Sequence, residues 1–172
     1  MHKLIQVIPP EEIQKRVWEL AKEISDRYAG EPLLMICVLK GAFLFFADLV
    51  KHMHIDPEVD FLRLSSYKQQ TSRTTTMEML SDICANVADK NVLIVDDIVD
   101  TGHSMQYLKS VLAERGPRSI AVCSLLNKRE RRERDVLVDF CGFTLEKGFV
   151  VGYGLDYAEQ YRHLGGIFEL VP

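Results

Sequence analysis

The sequence predicts an open α/β fold, one mostly parallel sheet with helices on both faces. Three observations carry this. Continuous apolar runs at residues 33–39, 92–95 and 119–126, rich in aliphatic and β-branched side chains, have the pattern of strands buried on both faces of a parallel sheet. Helix-periodic segments alternate with them, giving the strand, tight turn, helix order of βαβ units, with right-handed crossovers expected. And the run 92–95 ends in Asp96, Asp97 and Asp100, followed by Thr101-Gly102-His103-Ser104 and a helix. That places polar groups at the carboxyl edge of a sheet, where open α/β folds bind ligands.

The elements follow in order. Pro9 and Pro10 precede a helix over 11–30, in which Ile13, Val17, Leu20, Ala21 and Ile24 recur at helical spacing, acids open the first turn and Gly30 closes the last. Residues 33–39 form a buried strand, broken by Lys40-Gly41, and 42–53 an apolar helix. Residues 59–65 alternate loosely as a second strand. The segment 66–76, SYKQQTSRTTT, is polar and long for a connection, hence disordered or a mobile lid. Residues 77–80 and 83–87 carry little usable pattern, and the expectation there goes no further than a short strand returning from the lid. After the strand at 92–95 comes a helix over 105–115, ended by Gly116-Pro117, and then a strand over 119–126. Further short strands are expected at 136–140, 149–151 and 167–171.

A chain of 172 residues fits one domain, 1–172, with a sizeable core, and 47% apolar residues place it among globular proteins. The net charge of -4 creates no global positive field for nucleic acid or an anionic membrane, so any phosphate site must be local. The longest apolar run is too short to span a bilayer and residues 1–10 lack a signal-peptide core, so a cytoplasmic location is expected. Cys37, Cys84, Cys123 and Cys141 show no C-x-x-C pairing and read as reduced thiols. The charged run 128–134, KRERRER, lacks interleaved aromatics and reads as a solvated loop or subunit contact. Neither G-x-x-x-x-G-K-[ST] nor G-x-G-x-x-G occurs, which removes the common nucleotide cradles.

The acidic stretch has its own chemistry. Asp96 and Asp97 can accept hydrogen bonds from a vicinal diol such as the two ribose hydroxyls. Residues 101–104 offer amides at a helix N-terminus and two hydroxyls, an anion site for a phosphate monoester. Side by side they describe a ribose 5-phosphate pocket; helix capping alone needs one carboxylate, not three.

The segment VLIVDDIVDTGHSM resembles the phosphoribosyl diphosphate motif of type I phosphoribosyltransferases: four apolar residues, two acids, two apolars, a variable position, then T-G. VLKGAFLFFADL (38–49), LSSY (64–67), SLLNKR (124–129) and FVVGYGLDYAEQYRHL (149–164) resemble the hypoxanthine-guanine branch. The resemblance implies a Rossmann-like sheet with a small hood from the chain termini, and transfer of phosphoribosyl from phosphoribosyl diphosphate to a 6-oxopurine with release of pyrophosphate. It implies that Asp96 and Asp97 hold the ribose hydroxyls directly or through Mg²⁺, and that Asp100 is the acid/base group for the purine N7 proton. Asp100, Thr101, Gly102, His103 and Ser104 would surround the 5'-phosphate, His103 through its charge or through its backbone alone. Leu39, Lys40 and Gly41, with a cis Leu39-Lys40 peptide, and Arg162 would bind pyrophosphate. Phe149 would stack on the purine, the Val150 backbone would meet its edge, Lys128 would donate to O6, and Asp156 would serve a second Mg²⁺. The implied metal ligands are thus Asp96, Asp97 and Asp156, and Ser66 and Tyr67 would lie on the lid.

The sequence departs from the family's pattern in places. Asp96 stands where many relatives have glutamate, and His103 replaces the lysine or asparagine of some. The expected partners are phosphoribosyl diphosphate, a 6-oxopurine and further copies of the chain as a homodimer or homotetramer, with no nucleic acid and no membrane. Alternatives are an RNA-binding regulator of the same fold, disfavoured by the negative charge, and a xanthine-preferring enzyme.

Overall fold

The computed structural model describes residues 3–68 and 75–171, without the side chains of Ser66, Tyr67, Lys68, Thr75 and Thr76. The chain runs β1 (Lys3–Ile8), α1 (Pro10–Arg27), β2 (Leu33–Leu39), α2 (Phe43–Lys51), β3 (Glu58–Lys68), β4 (Thr75–Ser81), β5 (Asn91–Val99), α3 (His103–Ala113), β6 (Ser119–Lys128), β7 (Phe140–Leu145), β8 (Val150–Val151) and β9 (Ile167–Val171). The expected α/β architecture holds. A six-stranded sheet in the order β4-β3-β2-β5-β6-β7 is parallel except for the antiparallel edge pair β3–β4, and β1-β9-β8 make a separate three-stranded sheet. From β2 the chain moves outward to β3 and β4, and from β5 it moves the other way to β6 and β7. The boundary between β2 and β5 is therefore the topological switch point, where the carboxyl edge opens a crevice.

Strand alternation distributes the core to two faces. Met35 and Cys37 of β2, Leu93 and Val95 of β5, and Cys123 and Leu125 of β6 pack with Ile13, Val17, Leu20, Phe45 and Leu49 of α1 and α2. Leu34, Ile36, Val92, Ile94 and Val122 point the other way and pack with Met105, Leu108 and Leu112 of α3. Helices thus cover both faces, as the unbroken apolar runs require. Helix α1 starts with Pro10 in the first turn beside Glu11 and Glu12 and ends at Arg27, three residues short of Gly30.

Four departures from the sequence reading have physical causes. Strand β5 does not end at Val95: it carries Asp96 and Asp97 as strand residues and continues to Val99, paired with Asn127. The strand expected at 136–140 is absent; β7 begins at Phe140, because Val136 packs beneath Gly102 while Leu137 is 68% exposed. Strand β1 gave no usable signal, since its short run KLIQVI is mostly exposed and becomes a strand only by pairing with β9. The polar segment 66–76 extends β3 and opens β4 at its ends, with Ser66, Tyr67 and Lys68 paired to Met77, Thr76 and Thr75; its middle, 69–74, lies outside the described residues. The short strand expected to return from this segment is β4, Thr75–Ser81.

Candidate active site

Three parallel strands deliver side chains to one edge. β2 ends at Leu39, whose peptide with Lys40 is cis, and the Lys40 carbonyl accepts from the Phe43 amide at 3.2 Å as α2 begins. β5 delivers Asp96, Asp97 and Asp100, and β6 ends in Lys128. Four cavities adjoin along this edge and share walls.

The first, of about 210 Å³, gathers Asp97, Asp100, Lys128, Phe149, Val150 and Asp156, six of the residues singled out in the sequence, together with Ile98, Arg131, Gly148 and Leu155. Lys128 is buried, 6% exposed, with Glu130 at 3.6 Å as its ion-pair partner. Phe149 is no core residue: it is 50% exposed and meets Tyr157 edge-on at 5.7 Å between centroids. Asp100 Oδ1 is buried without a hydrogen-bond partner, while Oδ2 lies 3.6 Å from Arg131 Nη1. A buried carboxylate oxygen left unpaired is costly unless a ligand uses it.

A second cavity, lined by Asp96, Asp100, Thr101, Gly102, Ser104 and Met105 among others, lies at the N-terminus of α3. Gly102 caps that helix at φ +90°, a conformation that favours glycine, and the first-turn amides of a helix have no internal acceptor. The loop is sealed from behind by residues 133–134. The amides of Glu133 and Arg134 both donate to the Thr101 carbonyl at 2.9 Å, and a Cβ on Gly102 would come within 2.7 Å of the Arg134 carbonyl oxygen. His103 Nε2 lies 2.6 Å from Glu133 Oε2 and Nδ1 lies 3.5 Å from Arg134 Nε. The His103 ring thus faces residues 133–134, and its backbone amide lies 3.5 Å from Thr101 Oγ1.

A third cavity is lined by Leu39, Lys40, Gly41, Asp97, Asp156, Glu159 and Arg162 among others. Glu159 bridges two of its three cations, at 2.8 Å from Lys40 Nζ and 3.1 Å from Arg162 Nη2, the third being Arg63; Arg162 also pairs with Asp156 at 2.8 Å and donates to the Gly154 carbonyl at 2.7 Å. This holds the Glu159 carboxyl below its usual range, through the Lys40 hydrogen bond first. A fourth cavity joins Leu39, Gly41, Asp96, Asp97 and Ser104 to Leu64 and Met77 of the β3–β4 hairpin.

Asp96 and Asp97 sit where the cavities meet. Burial pushes both carboxyls up, most strongly Asp96, to which the Asp97 charge adds. Neither is in an ion pair among the described residues. No three His, Cys, Asp or Glu side chains among those residues converge to hold a metal unaided. An adjacent carboxylate pair, Asp96 buried and Asp97 half-buried, that is in no ion pair among the described residues nevertheless fits Mg²⁺, which is commonly held by one or two carboxylates plus substrate phosphates and water.

Sequence reasoning missed Arg131, Arg132 and Glu159. The first two lie in a charged run that patterning assigns to solvent, and Glu159 carries no local signal of its bridging role.

Comparison with known proteins matches residues 9–158 to the phosphoribosyl transferase domain. The chain is 41% identical to the hypoxanthine phosphoribosyltransferase of Salmonella typhimurium over 99% of its own length and 97% of the relative's. It is 42% identical to the hypoxanthine-guanine phosphoribosyltransferase of Bacillus subtilis, over 96% and 92%. Among solved structures, a hypoxanthine-guanine phosphoribosyltransferase of Bacillus anthracis superposes with a TM-score of 0.93 at 40% identity, covering 99% of this chain and 100% of that one.

Proposed function

The chain belongs to the phosphoribosyl transferase family, and from that premise we propose that it is a purine-salvage enzyme, a pentosyltransferase that moves 5-phosphoribosyl from phosphoribosyl diphosphate to hypoxanthine or guanine. The products are IMP or GMP and pyrophosphate. The observation that carries this reading is the unpartnered, buried Oδ1 of Asp100 at the junction of the cavity holding Lys128 and Phe149 with the cavity at the α3 N-terminus.

In this reading the amides and hydroxyls of residues 101–104 hold the 5'-phosphate, and Asp96 and Asp97 hold the ribose hydroxyls. Lys40, Gly41 and Arg162 take the pyrophosphate. Phe149 stacks on the base, the Val150 backbone meets its edge, and Lys128 donates to O6, selecting oxopurines over adenine, whose amino group offers no comparable acceptor. As purine N9 bonds to the anomeric carbon, the bond from that carbon to the pyrophosphate oxygen breaks. Asp100 accepts the N7 proton through Oδ1. Carboxylates beside the sugar stabilise the cationic character that develops there. Mg²⁺ would be held by Asp96 and Asp97, and a second Mg²⁺ by Asp156, where the metal would supply positive charge to the diphosphate. Ser66 and Tyr67 belong to a hairpin that closes over the reacting centre and excludes water.

We read the chain as one domain working as a homodimer or homotetramer; the oligomeric state of the Trypanosoma cruzi relative is the subject of a structural study of its C-terminal region. No helix among the described residues is long and apolar enough to cross a membrane, and the four cysteines are free thiols, in keeping with a cytoplasmic site. The relatives lend no support to an RNA-binding or xanthine-preferring role. The test is a spectrophotometric assay of hypoxanthine, guanine, xanthine and adenine with phosphoribosyl diphosphate and Mg²⁺. Turnover of hypoxanthine or guanine is expected, and its absence with both would refute the reading.

A further inference from the structure

Arg132 sits in the charged run between β6 and β7, yet its guanidinium is turned inward. Nε donates to the Asp100 carbonyl at 2.8 Å and Nη1 to the Val136 carbonyl at 3.2 Å. Nη2 faces the Val99 carbonyl at 3.1 Å, Asn127 Oδ1 at 2.6 Å and the Lys128 carbonyl at 3.1 Å. All these acceptors are neutral oxygens, and among the described residues Arg132 is in no ion pair. A guanidinium suits this use, because its planar fork presents five N–H donors in fixed directions.

The acceptors come from two places. Val99 and Asp100 are the end of β5 and the first residue of the phosphate-site loop; Asn127 and Lys128 are the last residues of β6. The β5–β6 ladder has its last registered pair at Val99 and Asn127. Beyond that rung, no sheet pairing fixes Asp100 relative to Lys128, and the guanidinium takes over where the ladder stops. Arg132 does not line the cavity that holds Asp100, Lys128 and Phe149.

We infer that Arg132 is a positioning residue of the proposed transfer: without touching either substrate, it clips the strand end carrying Asp100 to the strand end carrying Lys128, and so sets the proton acceptor against the base-binding lysine. This rests on the functional reading above. It predicts a particular fault when the clip is lost: ligands confined to one half of the site bind nearly as before, and those that span both halves do not.

The experiment compares the full-length wild type with Arg132→Ala and Arg132→Lys, using thermal unfolding as a check on folding. Calorimetry measures binding of ribose 5-phosphate, confined to the donor half, and of IMP, which spans both. Steady-state kinetics with hypoxanthine separates kcat from KM. In both variants IMP affinity and kcat should fall by about 10- to 100-fold, the scale for a misplacement near 1 Å. Ribose 5-phosphate affinity should stay within about twofold, the scatter expected of independent sites. Lysine should not restore the loss, since a single ammonium cannot span both strand ends, and it decides the matter if the alanine variant does not fold. Equal losses for the two ligands, wild-type behaviour, or full recovery with lysine would overturn the inference. A wild type that neither binds IMP nor turns over hypoxanthine would refute the functional reading itself, independently of any ratio between variants.

Discussion

Gly41→Ala offers a test of the site that can be worked from distances. Gly41 lies in the turn between β2 and α2, and its backbone torsion lies outside the left-handed region, so alanine fits the local conformation. The obstacle lies across the crevice. An added Cβ would stand 1.8 Å from Asp97 Oδ2 and 2.5 Å from its Cγ. Going from 1.8 Å to the 3.4 Å at which ordinary contact begins requires a retreat of about 1.6 Å. Cγ is also too close, so a flip of the terminal carboxylate is not enough; the side chain must swing at its own Cβ and give up the 3.0 Å bond from the Ile98 amide to Oδ1. Displacing a ligand-positioning group by 1 Å or more costs about 10²-fold. We therefore expect kcat/KM for hypoxanthine to fall about a hundredfold, or about 2.7 kcal/mol at 1.36 kcal/mol per decade, with little change in melting temperature. The assay is a double-mutant cycle. In an Asp97→Ala background the obstacle is gone, so the same Gly41→Ala change should cost little more. A hundredfold loss that persists in that background, or turnover of Gly41→Ala within a few-fold of wild type, would refute the steric argument.

Three further outcomes are expected. Asp100→Asn should lower kcat by about 10²- to 10⁴-fold, the scale for losing an acid/base group, with little change in phosphoribosyl diphosphate binding; unimpaired turnover would remove Asp100 from the chemistry. Lys128→Ala should narrow the ratio of kcat/KM between hypoxanthine and adenine, and an unchanged ratio would mean that selection of the 6-oxo group lies elsewhere. For stability against pH, burial would raise the Asp60 carboxyl, but the amides of Ala85, Phe61 and Cys84 outweigh it and hold the group below its ordinary value. Its stabilising contribution is therefore present above the unfolded value, near about pH 4, and is lost as pH falls through the folded one. Asp60→Asn should flatten the acid limb of a plot of urea midpoint against pH; parallel limbs for the two proteins would exclude this assignment.

What the sequence made legible depended on where each signal lies. Strands β2, β5 and β6 were readable because burial on both faces demands long apolar runs, and the acids of β5 stood out because they interrupt one. The inference that β5 stops at its first acid was natural and wrong: two carboxylates can ride on a strand when the sheet edge opens into a crevice. Strand β1 was invisible because its stability comes from a partner more than 150 residues away. Val136 and Leu137 misled because an apolar pair next to a turn looks alike whether it joins a ladder or plugs the underside of a loop. For the site, the diol and phosphate halves could be argued from residue chemistry alone, whereas Lys128, Phe149 and Asp156 were reachable only through resemblance. Arg132 was reachable by neither route: its role consists of bonds to main-chain oxygens brought together by folding.

The parallel ladder has one more consequence. Lys40 follows the last residue of β2, Asp97 lies two residues before the end of β5 and Lys128 ends β6, and these strands are locked in register, Cys37 against Val95 and Asp96 against Ser124. The sheet thus acts as a ruler graduated at about 3.3 Å per residue. Deleting one residue upstream in β5 would draw its whole acidic end back by one graduation and turn each side chain to the opposite face. Length variation between the strands of this crevice is therefore far more dangerous to the chemistry than substitution within them, and insertions belong in the connections at the far edge of the sheet.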